Sequence, residues 1–435
     1  MHSHFFIHHK KKKKMSAAEI TTAMLSRLQK DDGKINKEDA ELTSDDVAFL
    51  QKQLQAYDNL PTSCQDKTLN GLSFCLQAVL LLFLLLFSGI PTKMGLLRWV
   101  GSLSEMQKGA IPSFNHGLEP GFTFEALDRL DLSGQTALVT GGNSGVGFET
   151  AKYLVKLGAS TTILCRNEER CTDAAQAIES ESKSSSSGSI ATLVVDMSDL
   201  KAVRIATKSY AQSIRSLDML FLNAGIVSAG TDSTGKLKLS VDGIEKVFAT
   251  NHVGHQLLYS LLESKLLQTK TLAARVVLTS SASSFQSYDY GVATDLETLN
   301  GAPVGSMKPY GQSKLAQILF AKELTRRLAE KKEKKILVNA YHPGCAATAI
   351  WAKNDLIPSF LQGPMMRFFQ KNVMWSQKDG ALTMLWLGAA VEDLVAKDVR
   401  GKYWHPQAQE VIPQPWAHDV TLQKEVWKFT DALLR

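Results

Sequence analysis

Tyr310-Gly-Gln-Ser-Lys314 sets a phenol and an amine four residues apart at the head of a helix-patterned stretch. Residues i and i+4 of a helix share one face, so the two groups would meet. A tyrosine near pKa 10 is a poor base at neutral pH, but an adjacent ammonium favours the phenolate. Such a pair can exchange a proton with an alcohol or carbonyl oxygen. Taken alone, the spacing arises often by chance. A second chemical feature lies upstream, in Thr140-Gly-Gly-Asn-Ser-Gly-Val-Gly147. Glycines at 141, 145 and 147 let the chain turn tightly and bring backbone close to a pyrophosphate. A helix predicted to begin near Phe148 would add free N–H donors and the positive end of its dipole. The run follows an apolar strand and opens a helix, which is the context dinucleotide binding requires.

A site for the unphosphorylated dinucleotide places an acidic residue after the second strand, where it holds the ribose 2′-hydroxyl. Here that strand ends Leu164-Cys165-Arg166, followed by Asn167, with no carboxylate. Arg166 would pair with a 2′-phosphate, which a carboxylate would repel. The reading is therefore NADP(H) in preference to NAD(H), against the plainer alternative of a surface arginine without a ligand. Asp196, closing the third strand, would hydrogen-bond adenine or else cap the helix after it.

The elements that must position these groups are legible from residue 135 onward. QTALVTGG, STTILCR, ATLVVDM, LDMLFLNAG, ARVVLTSSA and KILVNAYHPG are short apolar runs of the kind covered on both faces of a parallel sheet. Residues 146–158, 242–265 and 312–330 between them have helical periodicity. Such alternation predicts an α/β fold with a doubly wound parallel sheet of Rossmann type. The polar run at 182–189 reads as a solvated loop.

Thr140–Gly147, Asn223-Ala224-Gly225, Asn251, Ser280-Ser281, Tyr310/Lys314 and Pro343-Gly344 follow one another in this order, most at strand ends. The set resembles the short-chain dehydrogenase/reductase family. CRN at 165–167, ATNHVGHQLL at 249–258, VVLTSSAS at 276–283 and HPG at 342–344 look most like its retinol dehydrogenase and WW-domain oxidoreductase branch. The resemblance covers residues 133–435. It implies catalytic roles for four residues. Tyr310 would be the acid/base and Lys314 would lower its pKa and hold the nicotinamide ribose. Ser281 would bind the substrate oxygen, and Asn251 would hold a proton-relaying water. It also implies cofactor contacts from Thr140, Gly141, Asn143, Ser144, Gly145, Val146 and Gly147, from Asn223, Ala224 and Gly225, and from Pro343, Gly344 and Thr348. Two departures stand out. Leu222 takes the place of the usual first asparagine, and 29 residues separate Ser281 from Tyr310, which implies an extra loop over the pocket. Because Ser280, Ser281, Ser283 and Ser284 form a run, the choice of Ser281 rests on the resemblance.

The remaining residues bear on location. Between Lys67 and Lys93 lie 25 uncharged residues centred on AVLLLFLLLFSGI, long enough for one transmembrane helix. The expected division is a basic tail and helical extension of unknown role at 1–66, an anchor at 68–92, a linker at 93–132 and a catalytic domain at 133–435. The Asp31–Asn36 turn resembles a calcium loop, but aligned on Gly33 its ligand positions are Leu28 and Lys30, which cannot coordinate the ion. The slight excess of basic residues after the span places the catalytic domain on the cytosolic side of an endoplasmic reticulum or other organelle membrane. The formal charge of +6 includes a five-lysine block, Lys10 to Lys14, and falls to +1 without it, which gives no case for nucleic acid. Five cysteines without ligand spacing argue against a metal site or disulfide framework and for a reducing compartment. The segment from 349 to 376 is rich in Trp, Phe, Met and Leu, as a lid over a lipophilic substrate would be, or an ordinary core helix. The sequence thus describes a membrane-anchored oxidoreductase for a lipophilic alcohol and its aldehyde or ketone, with a homo-oligomer compatible with it. Two alternatives stay open: a dinucleotide-binding scaffold without turnover, and a double-bond reductase of the protochlorophyllide reductase type.

Overall fold

The six apolar runs each form a strand in the computed structural model, which describes residues 120–182, 188–303, 307–345 and 374–435. These strands are β1 (Thr136–Thr140), β2 (Ser160–Cys165), β3 (Ser189–Val194), β4 (Met219–Leu222), β5 (Ala274–Thr279) and β6 (Ile336–Tyr341). Two short strands that no sequence period announces, β7 (Tyr403–His405) and β8 (Gln409–Glu410), complete a sheet of order β3-β2-β1-β4-β5-β6-β7-β8. All neighbours run parallel except β7 and β8. The strand order reverses between β1 and β4, and the crevice beyond their carboxyl ends is where such sheets bind ligands.

Both faces are covered, and the pleat sorts the residues between them. Leu138, Leu220, Leu222, Val276, Leu278 and Val338 pack with α4 (Leu200–Ser213), α6 (Gly254–Leu266), α8 (Lys308–Glu330) and α11 (Val420–Leu433). Ala137, Val139, Met219, Phe221, Val277 and Leu337 face α2 (Gly145–Lys156), α3 (Glu168–Ser182) and α9 (Gln377–Ala389). Near-continuous apolarity in the strands inward of β3 is thus two alternating sets, each with its own helical layer, whereas the edge strand β3, expected to be covered on both faces, has no buried residue. The short helices α1 (Phe124–Leu127) and α10 (Val391–Ala396) add Leu127, Val391 and Leu394 to the second of these layers, and α7 (Leu296–Asn300) adds Leu299 to the first. At the end of the sheet remote from the crevice, Arg275 is fully buried. Its guanidinium donates to the Gly388 and Ala273 carbonyls, to Thr271 Oγ1 and to Gln135 Oε1 (2.6–2.9 Å).

The helix predicted from 242 starts later. Glu245 caps α5 (Lys246–Phe248), its carboxylate accepting the Val247 and Phe248 N–H groups (2.8 Å each). The path continues through a π-turn, Ala249–Val253, into α6. The segment between Ser281 and Tyr310 also differs from the expected loop over the pocket. Val292, Ala293 and Leu299 are buried in the core, so much of the extra length is packing material. Asn300 ties it down, donating to the Gly243 carbonyl and accepting the Glu245 N–H.

The expected anchor at 68–92, the extension before it, Thr348 and most of the aromatic segment after it lie outside the described residues. Among the described residues, no helix is long and apolar enough to cross a membrane. Cys165 and Cys171 form a disulfide, a single bridge where the sequence argued against a disulfide framework and for a reducing compartment. The first turn of α3 curls back over the end of β2 and brings their Cα atoms to 5.8 Å, within bridging range.

Candidate active site

The chain turns out of β1 at Gly141, whose φ of +67° suits glycine. It then enters α2 at Gly145. At Gly147 a Cβ would stand 2.5 Å from both Asn223 Nδ2 and the Gly141 carbonyl, so only glycine lets α2 sit this close to the β1 and β4 ends. Thr140 holds those ends together. Its Oγ1 accepts the Asn223 and Ala224 N–H groups (2.8 and 2.9 Å), while Asn223 Nδ2 donates to the Thr140 carbonyl (2.9 Å). His255 Nδ1 faces the Asn251 carbonyl at 2.9 Å, which makes that nitrogen the donor. Nε2 lies 3.0 Å from the Thr140 oxygen, whose hydroxyl also reaches the Phe221 carbonyl (3.2 Å), and burial lowers the His255 pKa to about 3, keeping the ring neutral.

A cleft of about 650 Å³ opens above these ends. Gly141, Asn143, Ser144, Gly145, Val146 and Gly147 line one part of it, with Arg166, Asn167 and Asp196 at one end and Ser281, Tyr310, Lys314, Pro343 and Gly344 also on its wall. Asn223, Ala224 and Gly225 run beside it. Of the expected site residues, Thr140 lies just beneath, Asn251 behind, and Thr348 outside the described residues.

Ser280 and Ser281 both line the cleft, but their hydroxyls have different partners. Ser280 is buried and donates to the Lys314 carbonyl (2.7 Å), locking the end of β5 to α8. Ser281 sits on the cleft wall, where its oxygen accepts the Ser283 N–H (3.1 Å) and hydrogen-bonds with Tyr310. Tyr310 and Lys314 emerge from the first turns of α8, with Lys314 Nζ 5.6 Å from the phenol ring centroid. Lys314 Nζ donates to the Thr279 carbonyl (2.9 Å). Burial pushes the Tyr310 pKa up to about 12, opposed by the Ser281 hydroxyl, and lowers that of Lys314 to about 8. Here burial outweighs the phenolate-favouring effect expected of the ammonium.

Asn251 stands at the centre of the π-turn, fully buried, and its side chain is wholly engaged by protein. Oδ1 accepts the Ile226 N–H (2.8 Å), and Nδ2 donates to the Ile226 carbonyl and Ser313 Oγ (2.9 Å each). In this geometry it clamps the segment after β4 against α8.

At the other end, Arg166 is exposed and its Nη1 lies 4.0 Å from Asp196 Oδ2. Asp196 accepts the Ser198 N–H and hydroxyl (2.8 Å each), while the cap of α4 is Asp199. Asn167 caps α3 through the Arg170 N–H (2.9 Å). Sequence reasoning missed Arg170, Lys238, Lys246 and His342, all on the cleft wall. Arg170 was findable as the cation in the first turn of the helix that follows Arg166. Lys238 and Lys246 arrive by tertiary folding alone. Among the described lining residues the cations are Arg166, Arg170, Lys238, Lys246 and Lys314, against the single carboxylate of Asp196. That balance and the glycine-cleared backbone fit an extended polyanion such as a dinucleotide.

Residues 135–293 match the short chain dehydrogenase family. Short-chain dehydrogenase TIC 32 A, chloroplastic, of Brassica napus is 33% identical over 71% of this chain and 92% of its own length. Retinol dehydrogenase 14 of Mus musculus is 30% identical, over 70% of this chain and 86% of that protein. WW domain-containing oxidoreductase of Gallus gallus is also 30% identical, over 72% and 70%. The fold, the crevice at the strand reversal and these relatives place the chain in the short-chain dehydrogenase/reductase family of oxidoreductases. Within it, the chain is similar to the retinol dehydrogenases and WW domain-containing oxidoreductases.

Proposed function

We propose that this chain interconverts a lipophilic alcohol and its aldehyde or ketone, using NADP(H) and held at a membrane through residues 68–92. The observation that carries the reading is the meeting of Ser281, Tyr310 and Lys314 on the wall of the same cleft as the glycine turn. A pure dinucleotide binder has no need of a buried phenol beside a buried amine. The nicotinamide, when bound, supplies or accepts the hydride. Ser281 then hydrogen-bonds the substrate oxygen and stabilises the charge that grows on it. In reduction the Tyr310 hydroxyl gives its proton to that oxygen; in oxidation the phenolate takes it. Lys314, fixed on the Thr279 carbonyl, holds positive charge beside the phenol and hydrogen-bonds the nicotinamide ribose. Asn251 positions the strand end on which the cofactor rests. Arg166 and Arg170 receive the 2′-phosphate, with Asn167 shaping the turn between them. The uncharged run at 68–92 and the aromatic-rich segment after Thr348 support a membrane-borne, lipid-soluble substrate.

The test uses the full-length chain in mild detergent. Nicotinamide fluorescence should report tighter binding of NADPH than of NADH. Tyr310→Phe should cut turnover of a lipophilic carbonyl by about 10²-fold or more while leaving NADPH affinity nearly unchanged. Retained turnover in that variant would remove Tyr310 from the reaction, and a preference for NADH would overturn the cofactor assignment.

A further inference from the structure

We propose that the Cys165–Cys171 pair is a reversible thiol modification site that controls how strongly the cleft holds the cofactor's 2′-phosphate. The proposal rests on the NADP(H) reading above. The two cysteines close a short loop, six positions apart, from the last residue of β2 to the first turn of α3. Everything proposed to touch the 2′-phosphate lies inside that loop: Arg166, Asn167 and Arg170 all line the cleft.

The loop has few other restraints. Residues 166–170 are exposed. Arg166 has only the 4.0 Å approach to Asp196, and the Arg170 side chain forms no ion pair among the described residues. Beyond the sulfur bridge, the turn is held by the Asn167 cap on the Arg170 N–H and by the Asn167 carbonyl accepting the Cys171 N–H (3.1 Å). A bridge across so short a loop adds less stability than one across a long loop. Its larger effect is local, fixing the spacing of two arginines that must converge on one phosphate. The chain is otherwise poor in cysteine, and a lone pair beside a cofactor cleft differs from the scaffolds of disulfide-rich domains.

The chemistry balances with a dithiol reductant. A thiolate of the reductant attacks Cys165, which is itself buried but borders the cleft, whereas Cys171 is fully buried away from it. The Cys165–Cys171 bond breaks, a mixed disulfide forms on Cys165, and Cys171 leaves as a thiolate that takes up a proton. The reductant's second thiolate then displaces Cys165, giving two thiols here and one disulfide in the reductant, a two-electron exchange. A cofactor lying over Cys165 would impede the first attack. Linkage also requires reciprocity: if the bridge favours NADPH, bound NADPH favours the bridge by the same factor.

The experiment titrates the full-length chain with NADPH and with NADH after equilibration in reduced or in oxidised dithiothreitol. The oxidised protein should bind NADPH about fivefold tighter or more, with NADH affinity moving less than about twofold. Cys171→Ser should bind like the reduced protein in both buffers. At a fixed ratio of reduced to oxidised dithiothreitol, NADPH should raise the fraction of bridged protein, read by mass after thiol alkylation. Equal NADPH affinity in both redox states overturns the proposal, as does a redox effect that persists in Cys171→Ser. An equal change for both cofactors overturns it as well, since the bridge would then not act through the 2′-phosphate. If neither redox form prefers NADPH to NADH, it is the underlying cofactor assignment that fails.

Discussion

Neighbouring hydroxyls with opposite duties make the residue-scale test. Ser281→Ala should lower turnover about 10²-fold with little change in melting temperature, because it removes a partner of the substrate oxygen. Ser280→Ala should act mainly on stability, by about 1 kcal/mol, because it removes a buried hydrogen bond to the Lys314 carbonyl. The reversed pattern would exchange their roles. Acidity gives a second test. Lys314 keeps its proton below its lowered pKa of about 8 and loses it above. Carbonyl reduction should therefore fall as pH rises through about 8, and a Lys314→Arg variant should lose that inflection. The types and order of these residues were legible in the sequence. What was not legible is which member of the serine run meets Tyr310 and which is spent on the Lys314 carbonyl, since that depends on how β5 meets α8.

Helix ends and turns set the next scale. The Glu245 carboxyl is nearly fully buried, and desolvation pushes its pKa up to about 7 from 4.5, against the pull of two backbone N–H groups. The folded protein thus binds the extra proton between those values, and stability should decline as pH rises from about 4.5 to 7, by at most about 1.4 kcal/mol per unit. Denaturant midpoints across that window should be flatter for Glu245→Gln. Packing between α9 and the sheet is tight enough that a Cβ at Gly388 would run into the Phe221 ring, so Gly388→Ala should destabilise by about 1–3 kcal/mol. The π-turn follows the same logic. Deleting one residue within Ala249–Val253 would restore a regular helix but rotate Lys246 relative to α6 by about 100°. Either that side chain or Asn251 would then leave its place. Sequence periodicity found this helix yet could not show the turn, because one extra residue barely disturbs an apolar pattern.

For the whole molecule, apolar runs announced six strands and the two-sided burial of all but β3, whereas β7 and β8 were too short to carry a period. Their pairing is imposed by the chain returning after α10. The Cys165–Cys171 bridge was hidden for a similar reason: spacing in sequence does not reveal that α3 folds back over β2. A sheet of this kind still has two open sides, and they differ. At one, β8 spans only Gln409–Glu410, with Glu410 engaged by Lys402 (2.8 Å). At the other, β3 is six residues long, with Ser189, Ala191, Thr192 and Val194 exposed and no charged residue along it. Charge and brevity are what keep a strand from templating a neighbour, and β3 has neither. Aggregation on mild heating should therefore begin along β3, and Thr192→Lys should delay light scattering without moving cofactor affinity. The strand farthest from the chemistry in this fold is thus the one that limits how concentrated the protein can become.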